Sequence, residues 1–349
     1  MPENSLKSQQ QTSSRKQQHV ELCVDENVIF KGKTAGFEKF DFQHNALPEI
    51  DYAEISTATI FIKKRIAFPL MISCMTGGYP DAERINAGLA AACEVFTIPM
   101  GVGSQRQAME NTRHHESFKT VRRNAPTIPI IGNIGAAEVA QRPSVESFKR
   151  IIDLIEADAL AVHLNPLQEL LQPEGTPSFK NVLTGIENLV RTAGIPIIVK
   201  EVGAGISGDA AKKLLNIGVA AIDVAGAGGT SWAGVELLRN EERNGLEEFW
   251  DWGIPTVECL LQIAPLKKEQ DFTLIASGGV SSGVDMAKSI ALGADLAAAA
   301  RIFLKTFMDS GADALHRQIA LWQKQFRYVM FLTGSADITA LKKAPISAQ

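Results

Sequence analysis

The chain has 349 residues, 45% hydrophobic and 21% charged, which is enough apolar material for one large core and an ordinary charge content for a soluble enzyme. A formal net charge of −4 removes any general electrostatic case for nucleic acid, so an anionic ligand has to be held by local cations. No apolar run approaches the ~18 residues of a membrane span, and Cys23, Cys74, Cys93 and Cys259 show no metal-ligand spacing, which argues against zinc and fits a reducing cytoplasm.

Residues 1–14, rich in Ser and Gln, read as a disordered tail rather than a secretory signal. Residues 15–68 read as an N-terminal arm and extension. They hold Arg15, Lys16 and His19, then Phe37, Phe40 and Phe42, then Ile60 and Ile62 in alternation, the pattern of a small hairpin covering one end of the fold. From 69 to 335, eight short apolar runs recur, at 69–73, 97–102, 128–134, 159–164, 195–199, 220–224, 272–276 and 294–298. Helix-like stretches lie between or after them, the clearest at 81–95, 143–157, 182–193, 207–216, 281–292 and 309–332. A β-then-α repeat of roughly thirty residues predicts an α/β fold, a TIM (β/α)8 barrel, with its active site at the C-terminal ends of the strands. The gap between the sixth and seventh runs carries an insertion, 231–254, with Trp232, Trp250 and Trp252. It reads as a lid or as an interface loop. Residues 336–349 read as a C-terminal tail.

The strand ends supply the chemistry. Met75, Thr76, Gly77 and Gly78 end the first unit, where glycines admit a flat ring and Thr76 offers a hydroxyl. Ser104, Gln105 and Arg106 end the second, and the Arg106 fork suits a phosphate. Asn133 ends the third. His163 and Asn165 alternate after the fourth, with Gln168 and Glu169 one turn on. A single carboxylate there favours Mg²⁺ shared with substrate phosphates. Lys200 ends the fifth strand and aims a cation at the mouth, suited to the electron-rich edge of a reduced flavin or to a phosphate. Ser277, Gly278 and Gly279 precede a helix, and Arg301 follows the eighth strand, the two loops where such barrels hold phosphate. Cys74 beside the first turn raises the question of a catalytic thiol, but a buried apolar role fits it better.

Together these residues resemble one family, the type 2, FMN-dependent isopentenyl-diphosphate isomerases. The resemblance runs from Arg15 to about Lys305, on Arg15-Lys16 with His19, Met75–Gly78, Gly103–Arg106, Gly132-Asn133, His163–Asn165 with Gln168-Glu169, 199–203, 226–230 and Ser277–Gly279. It implies interconversion of isopentenyl and dimethylallyl diphosphate in isoprenoid biosynthesis, an intramolecular shift of a C=C bond. It implies FMN working in its reduced form as acid and base, NADPH to reduce it, and Mg²⁺. Carried over by motif, FMN contacts Met75, Thr76, Gly77, Ser104, Asn133, Lys200, Thr230, Gly279, Val280, Ser281, Ala300 and Arg301. Substrate contacts Arg15, Lys16, Ser104, Gln105, Arg106, His163, Asn165 and Gln168; Glu169 binds Mg²⁺; Gln168 and His163 are the catalytic candidates beside the flavin. A homotetramer or octamer in the cytoplasm is implied as well. Relatives often carry a serine where Ala225 stands and an arginine near Ser281, so individual flavin contacts differ here. A 2-hydroxy acid oxidase on the same barrel would need a His–Arg pair near the seventh strand end, and no histidine lies near Ser277. A non-catalytic phosphate-binding barrel would explain the glycine turns but not Lys200, the 163–169 cluster and the basic arm together.

Overall fold

A computed structural model describes residues 2–141, 144–175, 177–242 and 244–349, without the side chains of residues 2–12. Eight parallel strands close a barrel: β1 (Leu70–Ile72), β2 (Met100–Gly101), β3 (Ile130–Gly135), β4 (Ala159–His163), β5 (Ile197–Lys200), β6 (Ala221–Asp223), β7 (Thr273–Ser277) and β8 (Leu296–Ala299). Closure is direct, with Ala298 of β8 opposite Met71 of β1. Every expected run overlaps one of these strands, and four of the strands end one residue beyond it. The second is trimmed most, because Thr97 takes a left-handed conformation (φ 50°) ending the helix Ala82–Phe96.

Alternate strand residues face inward and fill the barrel: Met71, Ile131, Ala161, Ile198, Ile275 and Leu296 share one cluster. Its floor is the expected hairpin, Thr59–Phe61 paired with Lys64–Ile66, which pushes Phe61 and Ile66 into that cluster. Ile62 and Lys63 both take positive φ, 48° and 61°, as a two-residue turn of the primed type requires. Asp158 pins the hairpin at this closed end. Its carboxylate lies 2.7 Å from Lys64 Nζ and 2.8 Å from Arg122 Nη2, and accepts the Ile130 amide at 2.9 Å. Burial pushes this carboxyl up, but those three partners outweigh it and hold it below its ordinary range. With the bottom plugged, the open end is the C-terminal rim.

Secondary structure continues into both terminal segments. Residues 2–25 form one helix, Pro2–Asp25, and Met1 lies outside the described residues. Proline is tolerated in a first helical turn, no glycine or further proline interrupts residues 3–25, and Val20, Cys23 and Val24 anchor the C-terminal turns in the core. At the other terminus Ile338–Leu341 is helical with Ile338 and Leu341 buried, and Ile346–Ala348 pairs antiparallel with Phe40–Phe42. Hydrophobic anchors hold residues 20–24, and strand pairing holds residues 346–348.

The expected helix at 143–157 is Val145–Leu154, capped by Ser144; Pro143 lies outside the described residues. A helix follows β8 directly from Arg301 and breaks at Gly311 (φ 77°), and the expected last helix continues from there to Leu332. The insertion folds as a helix, Trp232–Arg239, and a 3-10 turn, Glu247–Asp251, with Arg243 outside the described residues. No helix among the described residues is long and apolar enough to cross a membrane.

Candidate functional site

A cavity of about 1000 Å³ opens at the rim, walled by the barrel's C-terminal loops, the N-terminal helix and the insertion. On one side, three backbone segments meet with almost no side chain between them. A Cβ on Gly228 (φ 113°) would sit 2.0 Å from the Ala35 amide nitrogen, and one on Gly279 (φ 71°) would sit 2.7 Å from Ala35 Cβ and 2.8 Å from the Gly228 carbonyl. A Cβ on Gly229, whose φ is not positive, would sit 2.4 Å from the Gly279 nitrogen. At Gly228 and Gly279 only glycine satisfies both the positive φ and the close approach. Thr230, Gly279, Val280, Ser281 and Ala300 line this side. It is a backbone-lined cradle that suits a flat ring with a phosphate tail.

Two donors there are already committed. The Ser281 amide and hydroxyl both donate to Asp285, at 3.0 and 2.7 Å. Arg301 lines the cavity while Nε and Nη2 donate to the carbonyls of Cys23 (2.7 Å) and Glu26 (3.0 Å).

Strand register aligns the polar floor. His163 of β4 lies opposite Lys200 of β5, and Lys200 opposite Asp223 of β6. The Lys200 ammonium is buried but paired, 2.5 Å from the Glu201 carbonyl and 3.8 Å from the Asp223 carboxylate, which also accepts from the Ser277 hydroxyl. Burial pushes the Asp223 carboxyl up, opposed by Lys200 and then by Ser277. Asp223 escaped the sequence reading, although a carboxylate ending an apolar strand is the same signal that singled out Lys200.

The opposite side is cationic. Lys16 reaches from the N-terminal helix to the carbonyls of Gly77 (3.0 Å) and Ser104 (2.6 Å). Arg15, Arg106 and His163 line the cavity beside it, as do Met75, Gly77, Ser104, Asn133, Asn165, Gln168 and Glu169. His163 Nδ1 lies 3.0 Å from Asn133 Oδ1. Burial, then Lys200 and Lys16, lower its pKa to about 3, so the imidazole is neutral at physiological pH. Glu138, which sequence reasoning missed, faces Arg106 Nη1 at 3.2 Å, and burial pushes its carboxyl up against the pull of that arginine.

Glu236, also missed, organises the remaining wall from the insertion. Its Oε1 lies 2.9 Å from His19 Nε2 and accepts from Gln168 Nε2 at 2.8 Å, while Arg239 Nη1 donates to its Oε2 at 2.5 Å. Burial alone would raise this carboxyl, but His19, Gln168 and Arg239 hold it at about 2. One glutamate in a helix that also presents Val235 and Leu237 carries no periodic signal. Asn165 Nδ2 donates to Gln168 Oε1 (3.2 Å) and Glu169 Oε1 (3.1 Å), so the three are preset relative to one another. Among the described residues no group of three or more His, Cys, Asp or Glu could hold a metal by itself. Glu169 fits a cation whose remaining ligands are phosphate oxygens and water.

Two residues expected at the site turn their side chains away from the cavity. Thr76 turns its hydroxyl away to Asn86 and is buried. Gln105 is buried behind the wall, donating to the Ile151 carbonyl at 2.8 Å and accepting the Asn133 amide at 3.1 Å, so it braces Asn133. Neither lies on the cavity surface, because each has a backbone or amide partner that a buried polar group needs. The Cys74 thiol does line the cavity, but burial drives it up to about 12, which leaves no thiolate for nucleophilic chemistry.

Burial and the neighbouring Arg15 lower Lys16 to about 7. The ammonium is therefore present below that pH and lost above it, and affinity for an anionic substrate should fall as pH rises through about 7. The prediction is a rise in KM on the alkaline side that Lys16→Arg flattens, because arginine stays charged. The same alkaline limb in Lys16→Arg would assign it to another group.

Sequence comparison matches residues 152–348, more than half of the chain, to the FMN-dependent dehydrogenase family. Proteins named isopentenyl-diphosphate delta-isomerase are similar along nearly the whole length. That of Chlorobium chlorochromatii is 52% identical, covering 95% of this chain and 96% of its own. That of Chlorobaculum parvum is 50% identical, covering 96% and 97%. That of Methanosarcina barkeri is 43% identical, covering 96% and 92%. Among solved structures, a mutant flavocytochrome b2 with bound pyruvate superposes with a TM-score of 0.70 at 16% identity, covering 94% of this chain and 82% of its own. A mandelate oxidase mutant with a monooxide FMN adduct gives 0.66 at 14% identity, covering 94% and 95%. At those identities the two structures establish a shared barrel fold.

Proposed function

Because this chain belongs to the isopentenyl-diphosphate delta-isomerases, within the FMN-dependent dehydrogenase family, we propose that it interconverts isopentenyl and dimethylallyl diphosphate for isoprenoid biosynthesis. The carrying observation is a single cavity with a glycine-lined cradle on one side and Arg15, Lys16, Arg106 and Glu169 on the other. FMN, reduced by NADPH, supplies the acid and base chemistry of the allylic shift when bound.

The chain's own residues then have distinct tasks. The backbone at 228–229 and 278–279 receives the flat cofactor and its phosphate, with Arg301 the nearby cation. Lys200, held by Asp223, places positive charge at the floor. Arg15, Lys16 and Arg106 grip the diphosphate, and Glu169 holds Mg²⁺ against it. Binding energy at that remote end positions the prenyl tail for reaction. Gln168, oriented by Glu236 and Asn165, is the proposed proton relay, and His163 offers a neutral imidazole in the same cavity. Trp232 lines the cavity and presents an aromatic face suited to a cation-like prenyl group. A cytoplasmic homo-oligomer, tetramer or octamer, completes the proposal; four free cysteines support the compartment.

Product analysis tests this reading against the hydroxy-acid oxidation named by its structural neighbours. FMN-loaded protein kept reduced with Mg²⁺ should convert isopentenyl diphosphate, and lactate or mandelate should leave the oxidised flavin's colour unchanged. Bleaching by either acid, without conversion of the diphosphate, would overturn it. Glu169→Gln should raise the Mg²⁺ concentration for half-maximal rate by about tenfold or more, since a neutral amide is a weak ligand for a hard cation. An unchanged titration would remove Glu169 from the metal.

A further inference from the structure

The substrate-side cations Arg15 and Lys16 ride on the N-terminal helix, so their placement depends on what docks that helix. Its last carbonyls have no partner within the helix. Three acceptors at that end are met by two side chains of the helix following β8. Arg301 Nε donates to the Cys23 carbonyl at 2.7 Å, Arg301 Nη2 to that of Glu26 at 3.0 Å, and Lys305 Nζ to that of Val24 at 2.7 Å. The two cations are four residues apart and therefore share one helix face. Each is favoured electrostatically where the helix dipole is negative. Asp309, one turn further, lies 2.9 Å from Lys305 Nζ and steadies it.

From this geometry we infer that Lys305 is a positioning residue for the isomerisation, acting through the arm. With Arg301 it clamps the C-terminal end of Pro2–Asp25, and that sets how far Arg15 and Lys16 reach over the diphosphate. The buried Val20, Cys23 and Val24 give the helix its adhesion, while the two cations fix its axial position. Arg301 stands in the proposed flavin site and Lys305 lines the same cavity, so the FMN content of each variant is measured alongside arm docking. This assignment rests on the function proposed above, and one of its readouts does not.

The experiment compares FMN-loaded wild type, Lys305→Met and Lys305→Arg. Lys305→Met should retain the wild-type FMN content. It should raise KM for isopentenyl diphosphate about fivefold, the lower end of ordinary coupling between sites. It should also speed trypsin cleavage after Arg15 and Lys16, and Lys305→Arg should restore both. Wild-type cleavage rates in Lys305→Met overturn the clamp, whether or not KM changes, since a KM effect alone would place Lys305 on the substrate directly. If wild type itself fails to isomerise, the proposed function fails, while the cleavage rates still decide whether Lys305 docks the arm.

Discussion

Lys200→Met is expected to lower turnover by about 100- to 1,000-fold, the cost of deleting one preorganised charge from a water-poor site. Lys200 is the cation at the cavity floor, held between the Glu201 carbonyl and the Asp223 carboxylate. In the proposed site Lys200 stands beside the cofactor, where a positive charge favours the reduced, electron-rich form, so the variant's flavin midpoint potential should also move negative. Removing Lys200 leaves Asp223 buried without its cation, and burial already pushes that carboxyl up, so it should take a proton. The double variant Lys200→Met/Asp223→Asn separates the two effects. If it recovers folding stability but not potential or rate, the charge at the floor is the cause. Wild-type potential and rate in the single variant would remove Lys200 from the reaction.

Gly279→Val is expected to cost the cofactor. The new side chain would collide with Ala35 and Gly228 while φ stays in a region that valine rarely adopts. Both the 34–35 and 228–229 segments would have to shift, which breaks the cradle's backbone donors. Losing two charge-assisted hydrogen bonds, each about 1.5–3 kcal/mol, weakens FMN binding by about 100-fold or more. Fluorescence quenching on titrating FMN into stripped protein measures this, and circular dichroism checks that the barrel survives. Tight FMN binding by a folded Gly279→Val protein would place the phosphate elsewhere.

The barrel was legible because its signal is local. Each strand is a short apolar run, and the rim position of Asn133, His163, Lys200 and Gly279 follows from where each run stops. The hairpin floor was legible in Ile60 and Ile62 for the same reason, although Phe61 and Ile66 make the inward contacts. What stayed hidden depends on partners distant in the chain. The helix that runs through the Ser- and Gln-rich residues 2–14 is anchored further on, at Val20 and Cys23. His19 meets Glu236, and Arg301 meets Cys23, through tertiary packing that no period records. The side-chain directions of Thr76 and Gln105 stayed hidden because a motif fixes a residue's backbone position but not which way a side chain turns once a nearer partner, Asn86 or Ile151, is available.

The central claim is that one cavity brings a reduced flavin and an isoprenoid diphosphate together for an allylic shift. The most direct measurement follows isopentenyl diphosphate with Mg²⁺ under anaerobic conditions in three preparations: flavin-stripped, FMN-loaded and oxidised, and FMN-loaded and reduced by NADPH. Dimethylallyl diphosphate should appear in the third alone. Equal conversion by the flavin-stripped protein would contradict the account.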